Sequence, residues 1–574
     1  MKDLKINNIK EYLLFQTESL SIITDELRLE NLKVERSINQ QILDNLLCVS
    51  LKTNFDESEL LNNIYRTIDI KQDLEKKLQS HALNEDAFNN NKELGKILNF
   101  ERYDENEDIK SLKKLILKAN IGIASFIKNS NAQGFDDEEI SSFMQYSLSK
   151  LLDREIKIDE LFAIAMKIGE FGIRAMQLLD YANTKSFGEV KETSVNMSTE
   201  SGKAILVAGD SLVDLKELLE QVSDKDIAVY TYGELLSANT YEEFKKYDSL
   251  KGHYNPEFKT QKEDFSAFKG NILVTSAPFE EQDKETMSRI YTTGSVKHSD
   301  AEYISGSIGR IKDFSDIIET AGNIDREEKR EIITGFSHHE LFEHIDEIIS
   351  GLNTKAIRKI YLIIGNNEEN TDYYNEIIDK TPDDVIVITA GNVKFSILQR
   401  EEKYVNGLMK VLDAGQMSDS YSVIYLLMKL ATTMGLNDVN DLPVVYNIAW
   451  NDEKSITVFL SLIALGMKNI VFSPSLPEFL TENVAKILSE QFRIKSISTV
   501  KEDFEKYILK ESSDIMDIPM GELVLKYPQL VNVLMDMGMH CIGCPSSHME
   551  TIEEAALVHG LDVKEVERIL RENL

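Results

Sequence analysis

The chain has 574 residues and a formal net charge of −34, from 64 Lys and Arg against 98 Asp and Glu. This length predicts several domains, and the acidic excess argues against nucleic-acid or anionic-membrane partners, which need a basic face. With three cysteines, no long apolar run and no cleavable leader, the chain is expected to be a soluble, cytoplasmic protein without a disulfide scaffold.

Residues 1–195 have a helical pattern. Apolar residues recur at three- and four-residue spacing in stretches such as 9–14 and 109–116, as they do in packed helices. The polar run Asn89-Asn90-Asn91 is expected to be a loop. This part of the chain is predicted to be a helical bundle.

The pattern changes after Gly202, where short apolar runs begin to alternate with amphipathic helices. Such runs are typical of parallel strands whose sheet is covered by helices on both faces. The predicted strands are 204–208, 227–230, 272–275, 360–364, 385–388, 444–448 and 470–472. A helical stretch ending near Gly351 divides them into two Rossmann-like α/β domains, residues 200–355 and 356–510.

The residues that follow these strands are the first place to look for a ligand, because open parallel sheets bind ligands beyond the carboxyl ends of their strands. Amides and carboxylates dominate there, and neither thiol nor histidine occurs. The ends are Ser276-Ala277-Pro278, Asn366-Asn367, Ala390-Gly391-Asn392 and Asn451-Asp452-Glu453. They suit a polar ligand better than a metal or nucleophile centre.

Residues 513–574 are predicted to be a separate small all-α domain. An apolar helical stripe stops at Gly538, and Thr551 with Glu554 has the spacing of a capping box that begins a further helix. Between them lie Cys541 and Cys544, in the sequence MHCIGCP.

The Cys541/Cys544 pair is the most specific local motif. In CxxC motifs the first thiol often has a lowered pKa, especially beside a cation, and His540 supplies such a charge when it is protonated. We interpret the pair as a site of thiol–disulfide exchange or redox sensing. Metal binding shared with His540 and His548, or a purely structural pair, are the alternatives.

Two further features have mainly structural interpretations. Cys48 lies in an apolar helical stretch and is expected in the core. His338, His339, Glu340 and His344 have helical spacing that would allow metal binding, but they lack the HExxH pattern. An exposed helix face is the favoured interpretation.

Between about residues 110 and 500 the chain resembles the hybrid-cluster proteins, often called hydroxylamine reductases. The matching stretches occur in family order and are LDYANT (179–184), VYTYGELL (229–236), YTTG (291–294), LDAGQ (412–416) and NDLP (440–443). The resemblance implies a helical domain followed by two Rossmann-like domains. The tail similarly resembles a small redox-disulfide module associated with that family.

The resemblance also implies a hybrid iron–sulfur–oxygen cluster held by one histidine, two glutamates and four cysteines. At the corresponding positions this chain has Asn239 for the histidine and Glu263 and Asp452 for the glutamates; Pro278, Asn366, Asn392 and Met417 stand at the cysteine positions. All four thiolates are missing, and cluster irons need thiolate donors. The sequence therefore predicts a relative without clusters, for which no cofactor is expected.

Three functions follow as hypotheses. The first is a repurposed homologue whose remaining redox chemistry lies at Cys541 and Cys544, acting with a redox partner protein. The second is an active hydroxylamine or nitric oxide reductase that uses other ligands or another cofactor. The third is a module that binds a small, for example nitrogenous, ligand at the strand ends. Whether the chain is an enzyme, and its oligomeric state, are left open.

Overall fold

The structure is a computed structural model, and its element order confirms the predicted α/β class. Helices come first, two parallel sheets with their helices follow, and short helices end the chain. The described residues are 2–50, 57–79, 106–254, 260–276, 279–295, 297–306, 310–326, 330–366, 370–398, 403–450, 452–509, 515–540 and 550–573. The loop predicted at Asn89–Asn91 lies outside them.

The N-terminal helices pack through the apolar faces that the spacing predicts. Leu13, Leu20, Ile23 and Leu27 of the first helix are fully buried, which places them in contact with the other helices. The helices are Lys2–Leu29, Arg36–Ser50, Glu57–Gln79, Glu107–Ala132, Glu138–Ser149 and Ile158–Phe187.

The first sheet is parallel along the order β4-β3-β2-β5-β6-β7, and a short strand, β8, pairs antiparallel with β2. A separate antiparallel ribbon joins β1 and β9. The strands are β1 Thr193–Asn196, β2 Gly202–Gly209, β3 Ala228–Tyr232, β4 Leu250–His253, β5 Asn271–Thr275, β6 Ile290–Thr293, β7 Glu302–Ile304, β8 Asn323–Ile324 and β9 Glu331–Thr334.

The second sheet is parallel throughout, in the order β14-β11-β10-β15-β16-β17. Its central strands are buried along their whole length, as expected for a sheet covered on both faces. The strands are β10 Lys359–Gly365, β11 Val385–Ala390, β14 Val411–Gly415, β15 Val444–Ala449, β16 Ile470–Ser473 and β17 Lys495–Ser496, with a hairpin of β12 Tyr404–Val405 and β13 Leu408–Met409.

The helices between the strands are mostly short. Those of the first sheet region are Leu212–Val222, Gln261–Ala267, Lys284–Met287, Ser315–Glu319, His338–Glu343 and Ile345–Thr354. Those of the second are Thr371–Lys380, Ser420–Thr433, Glu453–Ala464, Glu482–Phe492 and Val500–Asp503.

One helix of the second sheet region, Glu453–Ala464, packs closely against two long N-terminal helices, Glu107–Ala132 and Ile158–Phe187. A Cβ atom on Gly122 would lie 2.6 Å from the Glu453 carbonyl oxygen, and one on Gly169 would lie 2.1 Å from that of Leu460. Glycine is therefore needed for the backbones to approach this closely. Thr457 Oγ1 adds a hydrogen bond to the Ala119 carbonyl at 2.9 Å. These contacts fix the start of a helix that carries site residues.

The C-terminal helices are Met520–Lys526, Leu530–Asp536, Ile552–Val558 and Val563–Glu572. They share a small core that includes Leu523, Leu530 and Leu534. The capping box predicted at Thr551 and Glu554 is present: the Glu554 N–H donates to Thr551 Oγ1 at 3.1 Å, and the Thr551 N–H donates to the Glu554 carboxylate at 3.0 Å. Among the described helices, none has the length and apolar character that a bilayer span requires.

Candidate functional site

Polar side chains from the carboxyl ends of five strands meet between the two sheets. Asp210 follows β2, Glu234 follows β3, Asn366 follows β10, Asn392 follows β11, and Asp452 with Lys454 follows β15. We call these six residues the strand-end cluster. Their convergence is what parallel sheets produce at the edge where the strands end.

Lys454 is the cationic centre of the strand-end cluster. Its Nζ donates to Asp210 Oδ2 at 2.6 Å and to Glu234 Oε1 at 3.2 Å. Burial alone would lower the pKa of Lys454, but the carboxylates of Asp210, Glu234 and Asp452 outweigh burial and raise it. Lys454 is therefore an ammonium ion at neutral pH, and it links the second sheet to two acids of the first.

Glu234 is held as a carboxylate by several donors. Its Oε2 accepts the Met417 N–H at 3.0 Å, and its Oε1 accepts the Asn366 amide N–H at 3.3 Å as well as Lys454. Burial would raise the pKa of Glu234, but Lys454 and these donors together bring it below its ordinary value. Glu234 is thus the fixed negative charge of the site.

Asp210 and Asp452 behave differently, because burial raises the pKa of each in spite of Lys454. Asp210 is 5% exposed, and its Oδ1 has no partner within hydrogen-bond geometry among the described residues, although the Asn129 side chain lies close enough to lower its pKa. The Asn392 side-chain oxygen is also buried without a donor in the described part of the chain. Two acceptors in one cluster therefore lack the donors that buried polar atoms normally have.

Local backbone chemistry explains how the cluster forms. Asp452 is the N-cap of helix Glu453–Ala464 and accepts hydrogen bonds from the N–H and hydroxyl of Ser455, both at 2.8 Å. This cap places Lys454 in the first helical turn. Gly233 has a φ of 64°, and a Cβ atom there would lie 3.7 Å from Asn392 Oδ1, so the Asn392 amide reaches across to the first sheet.

The structure brings together four of the positions singled out in the sequence. Asn366 contacts Asp452 through a short side-chain hydrogen bond, and its Oδ1 accepts the Asn392 N–H at 2.7 Å. Met417 takes part through its backbone N–H, which donates to Glu234. Pro278, Cys541 and Cys544 lie outside the described residues.

Glu263 is not part of this cluster. It is exposed at the start of helix Gln261–Ala267, where its carboxylate accepts the N–H and hydroxyl of Thr260 in a capping box. The buried acid of that helix is its neighbour Asp264, which is 1% exposed and accepts the Tyr232 hydroxyl at 3.0 Å. The pattern of charged residues alone did not tell which of the two adjacent acids faces inward.

Asn239 belongs to a neighbouring polar chain that leads to His253. Asn239 Nδ2 donates to Thr231 Oγ1 at 2.9 Å, and Thr231 Oγ1 lies 2.9 Å from His253 Nδ1. His253 is fully buried and stacks on Phe395 with ring centroids 5.3 Å apart. Burial, aided by the charge of Lys394, lowers the pKa of His253 to about 3, so its imidazole is neutral.

Sequence reasoning missed Asp210, Glu234 and Lys454 as site residues. The same strand-end rule that selected Asn366 and Asn392 would have found Asp210 and Glu234, because each follows a buried strand. Lys454 lies two residues beyond Asp452. A helix begins at Glu453, so its first turn points into the same edge of the sheet.

The chain is therefore an α/β protein in which a helical bundle precedes two parallel sheets. The carboxyl ends of the strands of both sheets share one buried polar cluster. The sequence model of the "Prismane/CO dehydrogenase family" matches residues 2–505, and that of "Domain of unknown function (DUF1858)" matches residues 516–566. A hydroxylamine reductase of Clostridium perfringens (strain 13 / Type A) is 34% identical over 525 residues, which are 88% of this chain and 94% of that protein. The chain belongs to the Prismane/CO dehydrogenase family.

Solved structures show the same fold at low sequence identity. Carbon monoxide dehydrogenase IV from Carboxydothermus hydrogenoformans has a TM-score of 0.54 at 13% identity, over 89% of this chain and 87% of that one. The alpha subunit of acetyl-CoA synthase/carbon monoxide dehydrogenase with NiZn[Fe4S4] and NiNi[Fe4S4] clusters has a TM-score of 0.54 at 12% identity, over 91% of this chain and 84% of that one.

The comparisons contradict the expectation that no cofactor is involved. The family and its carbon monoxide dehydrogenase neighbours use iron–sulfur clusters, so membership of the family implies such a group. The expectation rested on missing cysteines at a few positions, and that pattern alone cannot remove a cofactor that the family implies.

The residues described at the strand ends do not fit a cluster held by cysteines. Cluster irons need thiolates, whereas the strand-end cluster offers carboxylates, amides and one ammonium group. Cys48, the one cysteine in the described part of the chain, is buried in helix Arg36–Ser50, with its Sγ 3.6 Å from Asn63 Nδ2. Cys541 and Cys544 are the remaining thiols of the sequence.

Proposed function

We propose that this hydroxylamine reductase homologue binds a small protonated nitrogenous molecule, of the ammonium or hydroxylammonium type, at the strand-end cluster. The observation that carries the proposal is a buried cluster of three acids around one ammonium, in which Asp210 Oδ1 has no partner within hydrogen-bond geometry among the described residues and Asn129 is the amide nearby. A ligand with several N–H donors and a positive charge supplies what this cluster lacks.

The charge balance of the cluster supports a cationic ligand. Glu234 and Lys454 neutralise one another, which leaves Asp210 and Asp452, and burial raises the pKa of each of these two acids. A cation that enters the site stabilises the ionised form of these acids and displaces the proton. We infer that the binding of a small cation is coupled to the ionisation of these two acids, a coupling that an anionic ligand would not favour.

Isothermal titration calorimetry of the full chain with hydroxylammonium chloride and ammonium chloride tests the proposal, with sodium chloride as the reference salt. We expect one site per chain in the wild type and at least about tenfold weaker binding in Asp210→Asn, because a carboxylate pairs with a cation more strongly than an amide does. Glu263→Gln, which changes a surface carboxylate, is the matched control and should bind like the wild type. No saturable binding, or equal binding by wild type and Asp210→Asn, would refute the proposal.

A second function is thiol–disulfide exchange at Cys541 and Cys544. It is favoured because the thiol of the third cysteine, Cys48, is buried. Burial, and secondarily the charges of Asp44 and Glu59, raise the pKa of Cys48 to about 12, so Cys48 is a poor nucleophile at neutral pH. We therefore propose that Cys541 and Cys544 are the thiols that exchange with a redox partner protein in the cytoplasm.

A redox titration of the full chain tests this second function. A two-electron midpoint potential should be measurable in the wild type and in Cys48→Ser, and it should vanish in Cys541→Ser. A titration that is unchanged in Cys541→Ser would exclude the C-terminal pair.

Hydroxylamine reduction at a cluster, as the names of the relatives suggest, would need iron ligands other than the strand-end residues. Anaerobic purification followed by iron and acid-labile sulfide analysis separates this activity from the binding function. Stoichiometric iron and sulfide in both the wild type and Asp210→Asn would place a cluster away from the strand-end cluster and favour reductase chemistry.

A further inference from the structure

A second group of possible metal ligands lies away from the strand-end cluster. Glu192 directly precedes β1, and β1 pairs with β9 in a register that sets Thr193 opposite Thr334. The chain continues from β9 into helix His338–Glu343, which carries Glu340, and His344 follows as its C-cap. The β1–β9 pairing thus brings Glu192 beside two residues that are almost 150 positions further along the chain.

The three side chains converge on one point. One ligand atom of each, a carboxylate oxygen of Glu192 and of Glu340 and a ring nitrogen of His344, lie within 4.8 Å of one another. Glu340 Oε1 and His344 Nε2 are 4.0 Å apart, the separation of neighbours at i and i+4 on one helix face. A single ion between them would be within reach of all three.

The burial of Glu340 is a second observation that favours a cation at this point. Its side chain is 10% exposed, and its neighbours of opposite charge among the described residues are His344, when protonated, and the more distant Lys191. Lys191, the nearby cation, is directed to Glu343 at 3.4 Å and to Glu189 at 3.5 Å. A buried carboxylate without a donor is costly unless a cation compensates it.

The histidines next to this group have other contacts. His338 Nδ1 lies 3.4 Å from Asp180 and 3.2 Å from Ser422, so this ring nitrogen already has partners. The ring of His339 lies against that of His338, with centroids 4.0 Å apart. The ligand set is therefore not the run of histidines that stands out in the sequence, because the third ligand comes from Glu192.

We propose that Glu192, Glu340 and His344 bind a divalent transition-metal ion of the Zn²⁺ class. Two carboxylates and one imidazole are donors that such ions accept, and three protein ligands leave a coordination position for water or a substrate atom. The ion ties the segment before β1 to the helix after β9. This site is distinct from the strand-end cluster and does not depend on the function proposed for it.

Zinc binding to the full chain tests the proposal, and the Cys541→Ser/Cys544→Ser background removes the only other strong zinc ligands among its thiols. After treatment with a chelator, this protein is titrated with zinc chloride. We expect one equivalent bound, with X-ray absorption showing nitrogen and oxygen ligands at about 2.0–2.2 Å. Glu340→Gln and His344→Gln, in the same background, should each weaken binding by about tenfold or more, since even outer partners of a metal site contribute on this scale.

Two neighbours serve as matched controls. Glu343→Gln removes a carboxylate of the same helix that pairs with Lys191, and His339→Gln removes the adjacent imidazole; both should bind zinc like the parent. Absence of a bound equivalent in the parent would overturn the proposal. Equal affinities in the parent, Glu340→Gln and His344→Gln would overturn it as well.

Discussion

Two buried lysines lie in the same half of the molecule but have different surroundings. Lys394 is fully buried and donates to Asp413, 2.9 Å away, and to the Gly415 carbonyl at 2.6 Å. Asp413 in turn accepts the Gly415 N–H at 3.0 Å and the Thr334 hydroxyl. Both the ammonium group and the carboxylate of this pair have further hydrogen-bond partners, as expected for an ion pair with a structural role.

Lys454 faces more acids than it can neutralise. It bonds to Asp210 and Glu234 and is influenced by Asp452, and Asp210 Oδ1 has no donor within the described residues. The comparison teaches that burial of a charge does not identify a functional site. A buried cluster with more acids than cations is a better sign, because a cationic ligand can complete its set of partners.

The largest effect is expected from Lys394→Met, which leaves Asp413 buried without its cation. The free energy of unfolding should fall by about 3–5 kcal/mol, as measured by chemical denaturation at pH 7. Adding Asp413→Asn should recover part of this loss, since the uncompensated charge is then removed. A loss below about 1 kcal/mol in the single variant would show that the pair is not structural.

Lys454→Met should destabilise the protein less, by about 1–3 kcal/mol at pH 7. Asp210 and Asp452 already have raised pKa values and accept protons when the ammonium is lost. The loss should therefore grow with pH, and denaturation at pH 6 and pH 8 measures the trend. If the free energy of unfolding fell as much as in Lys394→Met, and equally at both pH values, the two lysines would have the same structural role.

His253 predicts an acid-side loss of stability. Its pKa is about 3 in the folded chain against an ordinary value of 6.5, so the unfolded chain binds the extra proton as the pH falls below 6.5. Stability should decline by about 1.4 kcal/mol per pH unit from pH 6.5 towards pH 3. His253→Gln should remove this component. An unaltered slope in His253→Gln would contradict the assignment.

Glu263→Ala should have the smallest effect. It removes the carboxylate that accepts the N–H and hydroxyl of Thr260, a surface cap that contributes about 0.5–1 kcal/mol. Thermal unfolding measures the loss, and calorimetry with hydroxylammonium should show unchanged affinity. A change in affinity would place Glu263 in the binding site, which its exposed position excludes.

The sequence pattern predicted correctly those strands that are long and apolar. The predicted runs at 204–208, 360–364 and 444–448 lie within β2, β10 and β15, since a fully buried strand has a continuous apolar sequence. Of the two parallel sheets, β4, β6, β7, β14 and β17 were not predicted; each has five residues or fewer, and all but β6 carry a charged residue. Asn366, Asn392 and Asp452 were found through the strand-end rule.

Other parts of the site depended on tertiary contacts that sequence spacing does not contain. Glu263 and Asp264 are adjacent acids, and only packing against Tyr232 distinguishes the buried one. The approach of Glu192 to Glu340 depends on the β1–β9 pairing. Such cases require the register of distant strands, which a single sequence does not specify.

The central claim, that the strand-end cluster exchanges a proton for a small nitrogenous cation, is tested most directly by proton release. Calorimetric titration of the full chain with ammonium chloride, whose cation stays protonated at neutral pH, is repeated at pH 7 in buffers of different ionisation enthalpy. We expect saturable binding with net proton release in the wild type, and reduced release in Asp210→Asn. Binding without proton release, or the same release in both proteins, would contradict it.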